Sequence, residues 1–170
     1  MTLKPLRDDT QGAALVEASV TIPMFLLLMF GLVQAGLLLW TKAGLQHGVE
    51  VATRCASVNY SAYQLANELP AGNAVSTTSS CFGVTPSTVV GNTTYIQQYA
   101  AQNSWGIVPS SGFRVNPPPQ AIAGGTGQCG TTSGSPAGYV VSVSHLYNLI
   151  NYIFSVTLTA QSCFPINTSS

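Results

Sequence analysis

The sequence predicts an α+β chain: one long N-terminal helix, its first half suited to lipid, its second half the spine of a small antiparallel-sheet outer domain. Three observations lead there. Residues 12–40, GAALVEASVTIPMFLLLMFGLVQAGLLLW, carry a single charge, Glu17. About 20 apolar residues cross roughly 30 Å of hydrocarbon as a helix, because each residue rises about 1.5 Å. Beyond Thr41, apolar residues recur at intervals of three and four (Leu45, Val49, Ala52, Ala56, then Tyr60 and Tyr63), the stripe of an amphipathic helix. In the last third they recur at every second residue, as in half-buried strands: Tyr139, Val141 and Val143, then Phe154, Val156, Leu158 and Ala160.

In chain order, residues 1–12 form a short polar leader containing Lys4, Arg7, Asp8 and Asp9, and residues 13–40 the membrane helix. A secretory signal peptide is the rival reading, but its apolar core is shorter, about 7–15 residues, and ends in a small-x-small cleavage site that Ala35 and Gly36 do not make. Pro23 lies within the apolar run, where it removes one helical hydrogen bond that a membrane helix tolerates losing. Gly31 and Gly36 are off the four-residue spacing that puts two small residues on one face, so no helix-dimer motif is expected there. Residues 41–70 continue the helix, with Gln46, Glu50, Thr53 and Asn67 on its polar side, Gly44 and Gly48 as weak points, and Pro70 and Gly72 as the stop.

Residues 71–170 make the outer domain. A Ser, Thr and Gly-rich stretch is expected to be loop, with a short strand at most around Thr88 to Val90. Tyr95 to Ser104 reads as a short helix burying Ile96, Tyr99 and Ala100, capped from Asn92 to Thr94 and closed by Trp105 and Gly106. Residues 109–138, with three consecutive prolines at 117–119 and the glycines at 124, 125, 127, 130, 134 and 138, read as a surface loop around a brief strand at Phe113 to Val115. Two antiparallel strands then turn near Asn148 to Asn151, which sets Cys163 opposite residues around 136.

The spacing of Glu17 from Gly12 carries more. A cut after Gly12 would make Ala13 the new amino terminus and Glu17 the fifth residue. A polar leader ending in Gly, then an apolar helix with Glu at the fifth position, resembles the type IV pilin superfamily, whose leaders are removed by a membrane aspartyl peptidase. The Gly-Ala-Ala-Leu-Val-Glu start, Pro23, the Leu/Met/Phe run and the ending at Gly31 and Gly36 look like the TadE-like family of tight-adherence (Flp) pilus assembly proteins. The resemblance is close over residues 10–45 and loose beyond, and Ala18 stands where the family usually has Phe or Tyr. It implies a pilin-like fold and a minor pilin or pseudopilin cleaved between Gly12 and Ala13 by a prepilin peptidase. Glu17 would serve helix assembly with other Tad/Flp pilins and inner-membrane assembly proteins. The chain would cross the bacterial inner membrane once, amino terminus inside, and enter a pilus used in attachment.

Composition sets the limits. Only 6% of the 170 residues are charged and the net charge is zero, so Lys4, Arg7, Lys42, Arg54 and Arg114 make no basic stripe and nucleic acid is not an expected partner. After Ala13 there is no Asp and only Glu17, Glu50 and Glu68, which leaves no carboxylate pair for acid–base work and no Asp for a Ser-His-Asp triad. His47 and His145 read as surface or strand-edge residues, GGTGQCG lacks the Lys of a phosphate loop, and no enzyme activity and no cofactor are expected. Cys55, Cys81, Cys129 and Cys163 contain no C-x-x-C and no His at zinc spacing, so disulfides in an oxidising compartment are expected rather than a metal. Four cysteines allow three pairings. Cys55 with Cys81 would tie the first loop to the spine, and the strand hairpin brings Cys163 near Cys129, so these two pairs are favoured. The alternative from another class is an unprocessed membrane-anchored extracytoplasmic binding domain.

Overall fold

The structure is a computed structural model and describes residues 10–68, 92–118, 126–130, 135–149 and 154–166. Most of the leader, the Pro70 stop, Cys81 and the expected strand at Thr88 to Val90 lie outside the described residues. The fold is α+β: a long helix α1 (Thr10–Glu68), a short helix α2 (Thr93–Asn103), a 3-10 turn (Ser110–Gly112), and strands β1 (Phe113–Asn116), β2 (Gly138–Leu149) and β3 (Phe154–Pro165). The chain divides into two compact units, Met1–Leu39 and Trp40–Ser170.

The first unit contains the apolar part of α1. Its large side chains point outward, those from Leu15 to Leu39 being exposed around the helix apart from half-buried Leu38, and none of its most apolar stretch is buried. Among the described residues, one helix is thus long and apolar enough to cross a membrane. Helical assignment runs unbroken through Pro23. One turn before it, the hydroxyls of Ser19 and Thr21 donate to the carbonyls of Val16 and Glu17 at 2.7 and 2.9 Å. Both polar groups are thereby satisfied within the helix, as an apolar surrounding requires.

The second unit is built on the remainder of α1. Leu45, Val49, Ala52, Ala56 and Tyr60 are buried along one stripe, as the spacing predicts. Thr53, expected on the polar side, is instead fully buried. Its hydroxyl lies 2.9 Å from the carbonyls of both Val49 and Glu50 and 3.0 Å from Ser162 Oγ on β3, so the polar group is satisfied where the helix meets the sheet. Buried Asn59 likewise donates from Nδ2 to the Cys55 carbonyl, 2.9 Å.

Gly44 and Gly48 turn out to be points of close approach. A Cβ on Gly48 would stand 2.7 Å from the Ala100 carbonyl oxygen and 2.9 Å from Ser104 Cβ, and one on Gly44 2.6 Å from the Trp105 ring. The end of α2 therefore rests directly on α1 backbone. α2 begins with Asn92, whose Oδ1 accepts from the Thr94 N–H at 3.0 Å, and it buries Ile96 and Ala100. Tyr99, expected inside with them, is only half-buried.

The sheet has order β1-β2-β3, antiparallel throughout. Phe113, Val141, Val143, Tyr139, Leu158 and Ala160 form its packed face. The hairpin register differs from expectation: Cys163 pairs with Val140 and Pro165 with Gly138, because β2 runs on to Leu149 before the chain turns. The shift keeps every residue on its expected face, so alternation alone could not have distinguished the two registers. Val156 was expected inside and is exposed, since it pairs with Tyr147 beyond the reach of β1, whose last partner on β2 in that direction is Val143. Val140, expected on the open face, is buried. It sits opposite Cys163, and Cys163 is disulfide-bonded to Cys129 (Cα–Cα 5.4 Å), which carries residues 126–130 to that place.

Part of the expected 109–138 loop is thus stitched to the sheet end. Gly127 N–H donates to the Pro117 carbonyl at 2.9 Å, Cys129 N–H to Pro136 at 2.9 Å, and Gly138 N–H to Gly127 at 3.1 Å. Pro118 is fully buried.

Candidate functional site

Gly12, Ala13 and Glu17 all lie on α1, which already begins at Thr10, and all three are exposed. A side chain added at Gly12 would meet nothing within 4 Å. Ala13 and Glu17 are four residues apart, hence on one face and about 6 Å apart along the axis. Helical side chains lean toward the amino-terminal end, so the Glu17 carboxylate leans toward Ala13. A free amino group at Ala13 would be within its reach, on this helix or on a neighbour beside it. The arrangement offers one exposed carboxylate near the head of an apolar helix.

In the second unit a groove of about 410 Å³ runs between α1 and β3, lined by His47, Glu50, Val51, Arg54, Ser162 and Phe164. Its His47, Glu50 and Arg54 are exposed helix residues while Ser162 is half-buried on β3, and Glu50 accepts from Gln46 Nε2 at 3.0 Å. His47 stacks on the Trp105 ring at 6.4 Å between centroids, while His145 lies half-buried on β2. Among the described residues no three His, Cys, Asp or Glu gather as a metal site. Cys129 and Cys163 are bonded to each other and Cys55 is also in a disulfide. The fourth cysteine, Cys81, lies outside the described residues.

Two features escaped the sequence reading. The first is the tilted contact of Trp40 with Trp105, 4.8 Å between centroids, where the Trp105 ring covers Gly44. The four-residue spacing of Gly44 and Gly48 was the available signal. The second is the Tyr60–Tyr139 edge contact at 6.3 Å beneath the sheet. Burial, and after it the neighbouring Tyr60, raises the Tyr139 phenol well above its ordinary range. Its hydroxyl is buried with no hydrogen-bond partner among the described residues.

The exposed apolar helix, with Gly12 and Glu17 at its head, is the stretch with the recognisable pattern. Residues 12–54 match the model of the TadE-like protein family. No significant match was found among curated proteins or among solved structures. The TadE-like segment holds Gly12, Ala13, Glu17, the apolar run and the first turns of the spine, and it ends just before Cys55. α2 and the sheet lie beyond it.

Proposed function

We propose that this protein is a minor pilin or pseudopilin of a tight-adherence (Tad/Flp) pilus system and acts in pilus assembly and surface attachment. The observation that carries the reading is the TadE-like match over residues 12–54, laid on a helix whose large apolar side chains are mostly exposed as far as Trp40. A prepilin peptidase cuts between Gly12 and Ala13. The mature helix sits in the inner membrane with the leader on the cytoplasmic side, and the disulfide-bonded domain stands in the periplasm, where thiols are oxidised. Assembly, not catalysis, is its mechanism. Glu17, costly to keep charged in hydrocarbon, pairs with the amino group that cleavage creates at Ala13 of the same or a neighbouring helix. The outer domain primes, caps or decorates a filament.

Amino-terminal sequencing of the membrane-extracted protein, produced with its peptidase, tests this directly. The expected first residue is Ala13, and Gly12→Val should leave the leader attached. A mature chain beginning at Met1 or Thr2 would replace this reading with that of an unprocessed membrane-anchored binding domain. Glu17→Gln and Glu17→Leu should be cleaved and inserted normally yet be poorly incorporated into pili. Normal incorporation of both would show the charge to be incidental.

A further inference from the structure

The two tryptophans of the chain are brought together, and both remain open to the surroundings: Trp40 is 64% and Trp105 50% exposed, with their rings in tilted contact at 4.8 Å between centroids. We infer that Trp40 and the Trp105 turn form a lipid-headgroup docking surface, which holds the membrane-proximal end of the outer domain on the bilayer.

Trp40 is where the apolar run ends. From Ala13 to Leu39, at about 1.5 Å per residue, that run covers about 40 Å, close to the roughly 40–45 Å of a bilayer with its headgroup layers. With the run in the membrane, Trp40 falls at headgroup level. Trp105 is then within one ring of it. The turn is built to keep Trp105 there. Its φ of 59° is a left-handed conformation that L-residues with a Cβ adopt at a cost, and the following Gly106 has φ 70°. The indole edge fills the space that a Gly44 Cβ would occupy. Side-chain chemistry matches the location. Residues 92–113 contain no charged side chain, so nothing on α2 or its turn opposes contact with the apolar layer, and exposed Lys42 is placed to reach lipid phosphate. Indoles prefer this boundary, with an apolar ring and an N–H donor meeting acyl chain and headgroup at once.

This inference rests on the membrane placement of α1, and the experiment separates the two. The full-length chain is reconstituted in phosphatidylcholine nanodiscs carrying bromine either near the headgroup or near the acyl terminus. Trp40→Phe leaves Trp105 as the sole indole, and Trp105→Phe leaves Trp40. Trp105 emission should fall by about half with shallow bromine and little with deep bromine, and should be protected from iodide. Gly44→Leu in the Trp40→Phe background should abolish that quenching by pushing the ring from its seat, and retention of the Cys129–Cys163 disulfide would show that the fold survives. Iodide quenching of Trp105 without bromine quenching, or protection from both as at a contact between protein copies, would overturn the docking surface while bromine quenching of Trp40 left the anchor intact. Absence of bromine quenching at both tryptophans would overturn the anchor and the docking surface together.

Discussion

Helix α1 makes two different uses of one backbone conformation. Over residues 12–39 its large side chains are exposed on all sides, and Gly31 and Gly36 face open space. Past Trp40 the side chains are sorted: Leu45, Val49, Ala52 and Ala56 are buried, Gln46, Glu50 and Arg54 are exposed, and Gly44 and Gly48 are covered. A helix apolar all round has no preferred side in water and belongs in lipid or among like helices, whereas a striped one folds against its own chain. Helix formation is therefore common to both stretches, and what differs is the solvent each is matched to.

If that contrast is right, substitutions of one kind should act differently in the two stretches, read as denaturant unfolding of the full chain in detergent by near-ultraviolet circular dichroism. The largest effect should come from the staple that only the second unit has. Cys129→Ser with Cys163→Ser should cost about 3–4 kcal/mol of its stability and leave the helicity of the apolar stretch unchanged. Leu45→Ala should cost about 3 kcal/mol, as for a buried leucine, while Leu27→Ala, on an open face, should stay within about 0.5 kcal/mol. Equal costs at the two leucines would mean that the apolar stretch is also packed within the chain. Gly48→Ala should destabilise by about 2 kcal/mol through the approach of α2. The same change at Gly31 should favour the helix by up to about 1 kcal/mol, so a common sign at both positions would refute the division.

The smallest effect sharpens the account of the core. Tyr139→Phe deletes a buried hydroxyl without a partner among the described residues and should stabilise by about 1 kcal/mol. In the parent, the folded state holds the Tyr139 proton after the unfolded chain has begun to lose it near pH 10. Folded protein then binds more protons than unfolded, so stability is complete below about pH 10 and declines above it. The Phe variant should show a shallower alkaline decline, and an unchanged pH profile would remove Tyr139 from the explanation.

Much of the fold was legible because its signals are local. The stripe from Leu45 to Tyr60 has helical period, Asn92 is an N-cap, and Tyr139, Val141 and Val143 lie on the buried face, and each of these appears as expected. The errors arise where a second element intervenes. Thr53 reads as polar until β3 supplies Ser162, and Val140 reads as open until the Cys129 disulfide carries chain across it. The hairpin register escaped because a shift by an even step preserves every face.

The candidate segment follows the same division. The pattern of Gly12, Ala13 and Glu17 and the apolar run can be read in the chain alone, since it consists of spacing along one helix and of a composition suited to lipid. The ring contact of Trp40 with Trp105, the seating of α2 and its turn on Gly44 and Gly48, and the burial of Tyr139 against Tyr60 were decided only in three dimensions. Each joins residues dozens of positions apart, and close packing between distant segments leaves no periodic trace in either of them.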